Sequence, residues 1–99
     1  FEGVTAHSLA GARQHVLMAR HAWEAEEYRT AIIDASAAAD LAQTVHGLFD
    51  GEDRNRRVLL DDLRAAAIDP GTSITAQDAQ SAIEAASHLL GGELRSDAS

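Results

Sequence analysis

The fold is decided by residues 28–49, which read YRTAIIDASAAADLAQTVHGLF. At 3.6 residues per turn, one apolar stripe runs along this segment and a second stripe lies beside it. A helix that is apolar on more than one side packs against several neighbours. The segment is therefore predicted to be the central helix of a helical bundle. The first stripe contains Tyr28, Ile32, Ala35, Ala39, Ala42, His46 and Phe49, and the second contains Ile33, Ala37, Leu41, Thr44 and Leu48.

Four helices are predicted in all, at about residues 5–26, 27–49, 54–68 and 75–94, with 95–99 as a disordered tail. In the first helix apolar residues repeat at alternating spacings of three and four, which is typical of one buried stripe, and the third and fourth helices each have one apolar face. The stripes are Leu9, Ala12, Val16, Ala19 and Trp23 in the first helix, Leu59, Leu60, Leu63, Ala66 and Ala67 in the third, and Ala79, Ile83, Ala86, Leu90 and Leu94 in the fourth.

The joints between helices differ in how clearly the sequence marks them. The acidic, Gly-containing segment 50–53 predicts one stop, and Asp69-Pro70-Gly71 predicts another, because proline cannot continue a helix. Thr75, followed by Asp78, predicts an N-cap close to a capping box. No Gly or Pro marks the joint near 25–27, so one continuous helix is the alternative there. Because the joints are short and no strand pattern occurs, we expect one domain, an all-α antiparallel up-down four-helix bundle.

Composition limits the chemistry that the chain can perform. The 99 residues carry a net charge of −8 and contain no cysteine. Disulfides and thiolate metal sites are excluded, and non-specific binding of nucleic acid by the whole surface is disfavoured. No apolar run approaches the roughly 18 residues that a membrane span needs, so we expect a cytoplasmic protein.

The histidines and carboxylates suggest candidate sites, but none forms a recognisable catalytic or metal-binding set. His21, Glu24 and Tyr28 share one helical side, yet carboxylate-bundle metal sites need Glu-x-x-His pairs that are absent here. His46 lies on the buried stripe, where it is either a neutral core residue or a ligand. We therefore predict no metal, no cofactor and no catalytic residue.

Two sets of residues are candidates for binding. Arg54, Arg56 and Arg57 form the basic cluster of the chain, at the start of the third predicted helix. They either bind an anion, such as RNA phosphate or an acidic partner, or form a salt-bridged surface with the nearby acids. The second interpretation is favoured because acids outnumber bases locally. The other set is apolar and lies off the main stripes, which predicts a homodimer interface: Leu17, Met18 and Val58.

Residues 19–40, which read ARHAWEAEEYRTAIIDASAAAD, resemble HEPN domains. In that family a short joint follows the first helix, and a Tyr-x-x-Ala motif opens an alanine-rich second helix; Tyr28 and Ala31 match this motif. Ser73-Ile74-Thr75 and the stretch 85–90, AASHLL, resemble the closing helix of the family. The resemblance implies an RNase or a partner-binding domain in bacterial toxin–antitoxin, phage-defence or nucleotide-linked systems.

HEPN nucleases carry an Arg followed four to six residues later by His, and this chain departs from that pattern. Arg54-Asn55 is the nearest match, but Leu59 and Leu60 stand where the His would fall. We therefore expect a non-catalytic interaction or dimerisation module with a protein partner or a second copy. Two alternatives are an RNase that combines the arginine cluster with His46 or His88, and a helical component of a phage or secretion assembly.

Overall fold

The computed structural model describes residues 2–47 and 49–90. Within them the chain forms α1 (Glu2–Glu24), α2 (Tyr28–His46), α3 (Gly51–Ile68) and α4 (Ala76–Leu89), and no strand. The predicted all-α, antiparallel four-helix bundle is confirmed. The side chains of Leu9 and His46, residues Leu48 and Leu94, and the predicted tail 95–99 lie outside the described part.

The joint between α1 and α2 is a Schellman motif built without glycine. Glu26 adopts a left-handed conformation with φ of 64°. The Glu27 N–H then donates to the Ala22 carbonyl (2.8 Å), and the Glu26 N–H donates to the Trp23 carbonyl (3.0 Å). These are the two hydrogen bonds that define the motif, and they end α1. The two-helix prediction therefore describes this region, and the continuous helix does not.

Helices α3 and α4 begin differently. At α4 the predicted capping box is present: the Thr75 hydroxyl accepts from the Asp78 N–H, and the Asp78 carboxylate accepts from the Thr75 N–H, both at 3.1 Å. Helix α3 begins at Gly51, three residues earlier than predicted. The sequence predicts a stop over the whole of segment 50–53, whereas Glu52 and Asp53 occupy the first turn of α3, where the helix dipole favours negative charge.

Long-range side-chain contacts show the direction of each helix. The Trp23 indole at the end of α1 donates to the Ala76 carbonyl at the start of α4 (2.9 Å). Arg29 at the start of α2 contacts Ala67 at the end of α3. Helix α2 packs against all three other helices, as predicted, and so does α4. Helices α1 and α3 lie on a diagonal and hardly touch.

The core consists mainly of alanine, and α2 and α4 supply most of it. The buried residues of α2 are Ala31, Ile32, Ala35, Ser36, Ala38, Ala39 and Ala42. Small side chains let helix axes approach to the lower end of the usual distance of about 8–10 Å. The alanines of α4 belong to the same core cluster, and they are Ala79, Ala82, Ala85 and Ala86.

Some residues predicted to be buried are exposed. The second stripe of α2 is not enclosed, because Ile33 is 43% exposed and Thr44 is exposed. Leu59 of α3 is also exposed, and Trp23 is 36% exposed. For Trp23 and Leu59 the reason is that α1 and α3 each pack mainly against two helices, so less of their circumference is covered. Helix α2 has three neighbours, but they leave the side that contains Ile33 and Thr44 open.

Candidate functional site

The structure brings three of the predicted binding and interface residues to one cavity, which we call the α2–α3 cleft. It has a volume of about 390 Å³. Arg54, Arg57 and Val58 line it because spacings of three and four residues place them on one side of the first turns of α3. Gln43 of α2 and the connection between the two helices complete the wall. The lining residues are Gln43, Phe49, Asp50, Gly51, Arg54, Arg57 and Val58.

Arg57 links the two helices that form the cleft. Its Nη2 forms ion pairs with Asp61 on α3, at 3.1 Å, and with Asp40 on α2. The side chain is largely buried, and its Nη1 has no hydrogen-bond partner within the described part of the chain. Arg57 therefore links α2 and α3, and its Nη1 group is left as a hydrogen-bond donor without a partner among the described residues.

Arg56 and Arg54 have different surroundings. Arg56 does not line the cleft; it forms ion pairs on its own helix with Asp53, at 2.7 Å, and with Glu52, at 3.4 Å. Arg54 is exposed and forms no ion pair with any residue in the described ranges. The salt-bridged interpretation thus describes Arg56 and Arg57, and anion binding by the three arginines stays a prediction.

The cleft shows no catalytic pair in the part of the chain that the structure describes. No histidine side chain is among its lining residues, His88 is exposed on α4, and the His46 side chain lies outside the described part. Residues 2–47 and 49–90 also contain no group of three His, Asp or Glu side chains that could hold a metal ion. His21 and Glu24 are both exposed on the surface of α1.

One pair of titratable residues was not predicted. His15 on α1 and Asp34 on α2 face each other, with 3.9 Å between His15 Nδ1 and Asp34 Oδ1, which is an ion-pair separation without a direct hydrogen bond. Burial raises the pKa of Asp34, and the nearby His15 opposes that rise. Because the short joint makes α1 and α2 antiparallel neighbours, residues at similar distances from the joint lie opposite each other. This relationship could have paired His15 with Asp34 from the sequence.

The three predicted interface residues are exposed but do not form one surface. Leu17 is 50% exposed, Met18 is 43% exposed and Val58 is 51% exposed. Leu17 and Met18 lie on α1, Val58 lies on α3, and these helices are at opposite corners of the bundle. A single patch containing all three is therefore excluded. Other large apolar side chains that the prediction missed are also exposed, namely Ile33, Leu59 and Ile68.

An exposed stripe without formal charge at neutral pH runs along α1 next to Leu17 and Met18. Ala10, Gln14, Leu17 and His21 follow one another at spacings of four, three and four residues, which is the spacing of a coiled-coil seam. Met18 lies beside this row, and all five residues are exposed. We call these five residues the outer stripe of α1. It lies opposite the buried stripe of the same helix, which contains Ala12, Val16 and Ala19.

Comparisons with known proteins add no relative. No protein-family model matches the chain, no curated protein matches it, and no solved structure matches it.

In the described ranges, no helix combines the length and the apolarity that crossing a bilayer requires.

Proposed function

We propose that this chain is a non-catalytic helical interaction module that forms a homodimer through the outer stripe of α1. The observation that carries the proposal is that stripe itself: Leu17, in a row of exposed residues at heptad-like spacing, and the adjacent Met18 expose large apolar side chains on a helix whose other side is already buried. Uncharged seams of this kind are typical of helices that pack against another helix.

The small core gives a physical reason for self-association. An alanine buries little apolar area, so a core made mostly of alanine contributes less hydrophobic free energy than one of Leu and Phe. Leu17 and Met18 are already about half buried, so covering the rest of each side chain in both copies would add about 1 kcal/mol per side chain. In a two-fold dimer the same stripe meets its own copy, so one sequence feature serves both partners.

The resemblance to HEPN domains supports the same role. The Tyr-x-x-Ala match at Tyr28 and Ala31 comes without the Arg-x4–6-His pattern of the family's nucleases. Under this proposal the chain corresponds to members that act as scaffolds or dimerisation modules in toxin–antitoxin or phage-defence systems. The described lining of the cleft contains no histidine beside the arginines, and the family's Arg–His pair is therefore not assembled among those residues.

Sedimentation equilibrium at micromolar concentration tests the proposal. We expect a dimer for the natural sequence and a monomer for Met18→Glu and Leu17→Glu, because each places a charge in the contact. Val58→Glu is the matched control, since Val58 is as exposed as Leu17 but lies on the opposite corner of the bundle. A monomeric natural chain, or a dimer that only Val58→Glu disrupts, would refute dimerisation through α1.

A further inference from the structure

We propose that the groove between α1 and α4 is the docking site for a basic, amphipathic helical segment of a partner protein. The groove has a volume of about 270 Å³. It lies on the α4 side of α1, where Arg20 and Glu24 border the outer stripe, and the proposal does not require the homodimer. Its lining residues are Arg20, Trp23, Glu24, Gln80, Ile83 and Glu84.

The floor of the groove presents a fixed aromatic surface. Trp23 donates its indole N–H to the Ala76 carbonyl at 2.9 Å, so the polar atom of the ring is already satisfied within the bundle. The ring is nevertheless 36% exposed, with the buried side chain of Ile83 also lining the floor. A ligand would therefore meet only the apolar and π surface of the indole, which suits an aliphatic side chain or a stacked guanidinium group.

The groove is open because α1 and α4 pack together less extensively than α1 and α2 do. Both walls carry a carboxylate. Glu24 stands on the α1 wall and Glu84 on the α4 wall, where Gln80 donates a weak hydrogen bond to Glu84 at 3.4 Å. Arg20 is the one cation among the lining residues.

The charge around the groove selects the kind of partner. Two further exposed acids, Glu26 and Glu27, follow directly after α1 at the end of the bundle that contains Trp23. The groove itself has two carboxylates against one guanidinium, and with Glu26 and Glu27 nearby this balance favours a cationic ligand and disfavours RNA, DNA or an acidic peptide. An aromatic floor between acidic walls fits a helix that carries Arg or Lys beside Leu or Ala.

A second copy of this chain is a poor occupant of the groove. An acidic groove needs an occupant with a local cluster of positive charge. In this chain the basic cluster of α3 is largely engaged, because Arg56 and Arg57 form ion pairs with neighbouring acids. A basic segment of another protein is therefore the better complement.

The experiment uses the single tryptophan of the chain, Trp23, as a fluorescent reporter. The probe is a synthetic 18-residue helical peptide of Leu, Ala and Arg without aromatic residues, and the matched control peptide has Glu in place of every Arg. We expect the basic peptide to change the Trp23 emission saturably, with an affinity that falls as salt is raised, and the acidic peptide to have no effect. Equal responses to both peptides, or no saturable response to the basic one, would overturn the proposal.

Two double variants locate the binding site. The double variant Glu24→Gln with Glu84→Gln is expected to lower the affinity for the basic peptide by about five- to tenfold. This is the combined effect of losing two exposed charge pairs. Asp50→Asn with Asp62→Asn removes the same net charge from α3 and its N-cap, and it should leave the affinity within about twofold. If the two double variants weaken binding equally, the attraction is non-specific and the groove is not the site.

The same titration with Met18→Glu separates this inference from the proposed dimer. Peptide binding that persists in that variant supports the groove whatever the oligomeric state, and the dimer is judged by sedimentation alone. Peptide binding that is lost in Met18→Glu, but retained in the Glu24/Glu84 double variant, would place the peptide on the outer stripe of α1 and refute the groove.

Discussion

Arg29, in the first turn of α2, donates a hydrogen bond of 2.8 Å to the carbonyl oxygen of Ala67 in the last turn of α3. The same guanidinium group also donates to the carbonyls of Asp69 (2.9 Å) and Thr72. The last carbonyls of a helix have no partner inside it, and a cation is favoured there by the helix dipole. Arg29 therefore acts as a C-terminal cap for a helix that is distant in sequence.

Removal of this cap should destabilise the bundle. We expect Arg29→Met, which keeps most of the aliphatic stem, to lower the free energy of unfolding by about 2–3 kcal/mol, because several charged hydrogen bonds to backbone carbonyls are lost. Thermal or urea unfolding followed by circular dichroism measures the change. Arg64→Met on the exposed side of α3 is the control and should change stability by about 0.5 kcal/mol or less. Equal losses in the two variants would contradict the capping role.

The turn after α3 should make stability depend on pH in the acidic range. The Gly71 N–H donates to the Asp69 carboxylate at 3.0 Å and, together with the Thr72 hydroxyl at 2.8 Å and the nearby Arg29, lowers the pKa of Asp69. The unfolded chain then binds more protons than the folded one, so this stabilisation is complete above the unfolded pKa of about 3.9 and is lost as pH falls through the folded value.

Asp69→Ala tests this sign. The variant should unfold at a lower temperature than the natural chain at pH 7, and the difference should shrink as the pH is lowered from 5 to 2.5. Calorimetry at half-unit pH steps measures it, with Asp62→Ala, an exposed acid of α3, as the control. A difference that stays constant over this range would show that the Asp69 carboxylate charge has no part in the turn.

The partly buried acid on α2, Asp34, should act in the opposite direction. Burial raises the pKa of Asp34, so the folded state binds more protons than the unfolded state between about pH 3.9 and the raised value, and stability falls as pH rises through this window. Asp34→Asn should therefore raise the unfolding temperature at pH 8, and this gain should decline toward pH 4, where the Asp34 carboxyl of the folded chain becomes protonated. A variant that is less stable than the natural chain at pH 8 would contradict the cost of burying this charge.

Glycine at the end of α1 should be stabilising at one position and destabilising at the next. Glu26 has φ of 64°, where a side chain is strained, whereas Glu27 has φ of −94°. We expect Glu26→Gly to raise stability by about 0.5–1 kcal/mol, the relief of left-handed strain less the extra entropy of an unfolded glycine. Glu27→Gly should lower it by a similar amount. Chemical denaturation measures the free energy of unfolding of both variants. A lower stability of Glu26→Gly would exclude backbone strain at position 26.

The alanine core should resist larger side chains. Ala38 is fully buried, so Ala38→Leu should cost about 1–3 kcal/mol or more, because the helices must separate to admit three extra carbon atoms. Ala65→Leu, at an exposed site on α3, is the matched control and should change stability by about 0.5 kcal/mol or less. Unfolding in urea compares the two, and similar stabilities would show that the core is loosely packed around Ala38.

The sequence predicted those parts of the fold that depend on local pattern. The period of apolar residues located all four helices, and the Thr75 and Asp78 pair located the start of α4, because each is encoded within a few turns of one helix. The end of α1 was uncertain for an equally local reason. A Schellman motif usually carries Gly, and Glu26 occupies that position here.

Features that join distant segments could not be predicted in the same way. Arg29 reads as an exposed residue of a helix, and its partners are about 40 positions away along the chain. The exposure of Leu59 likewise depends on the number of helices that surround α3, which no local pattern records. Arg54, Arg57 and Val58 were identified from the sequence, but their common cavity follows from the packing of α3 beside α2.

The diagonal contact between α2 and α4 has a consequence for how such a protein can change during evolution. These two helices are constrained to small side chains by their mutual approach, whereas α1 and α3 stand at the corners with much of their circumference turned outward. Proteins that evolve from this bundle could acquire new binding specificities by substitutions on α1 and α3 alone, while α2 and α4 kept their small side chains.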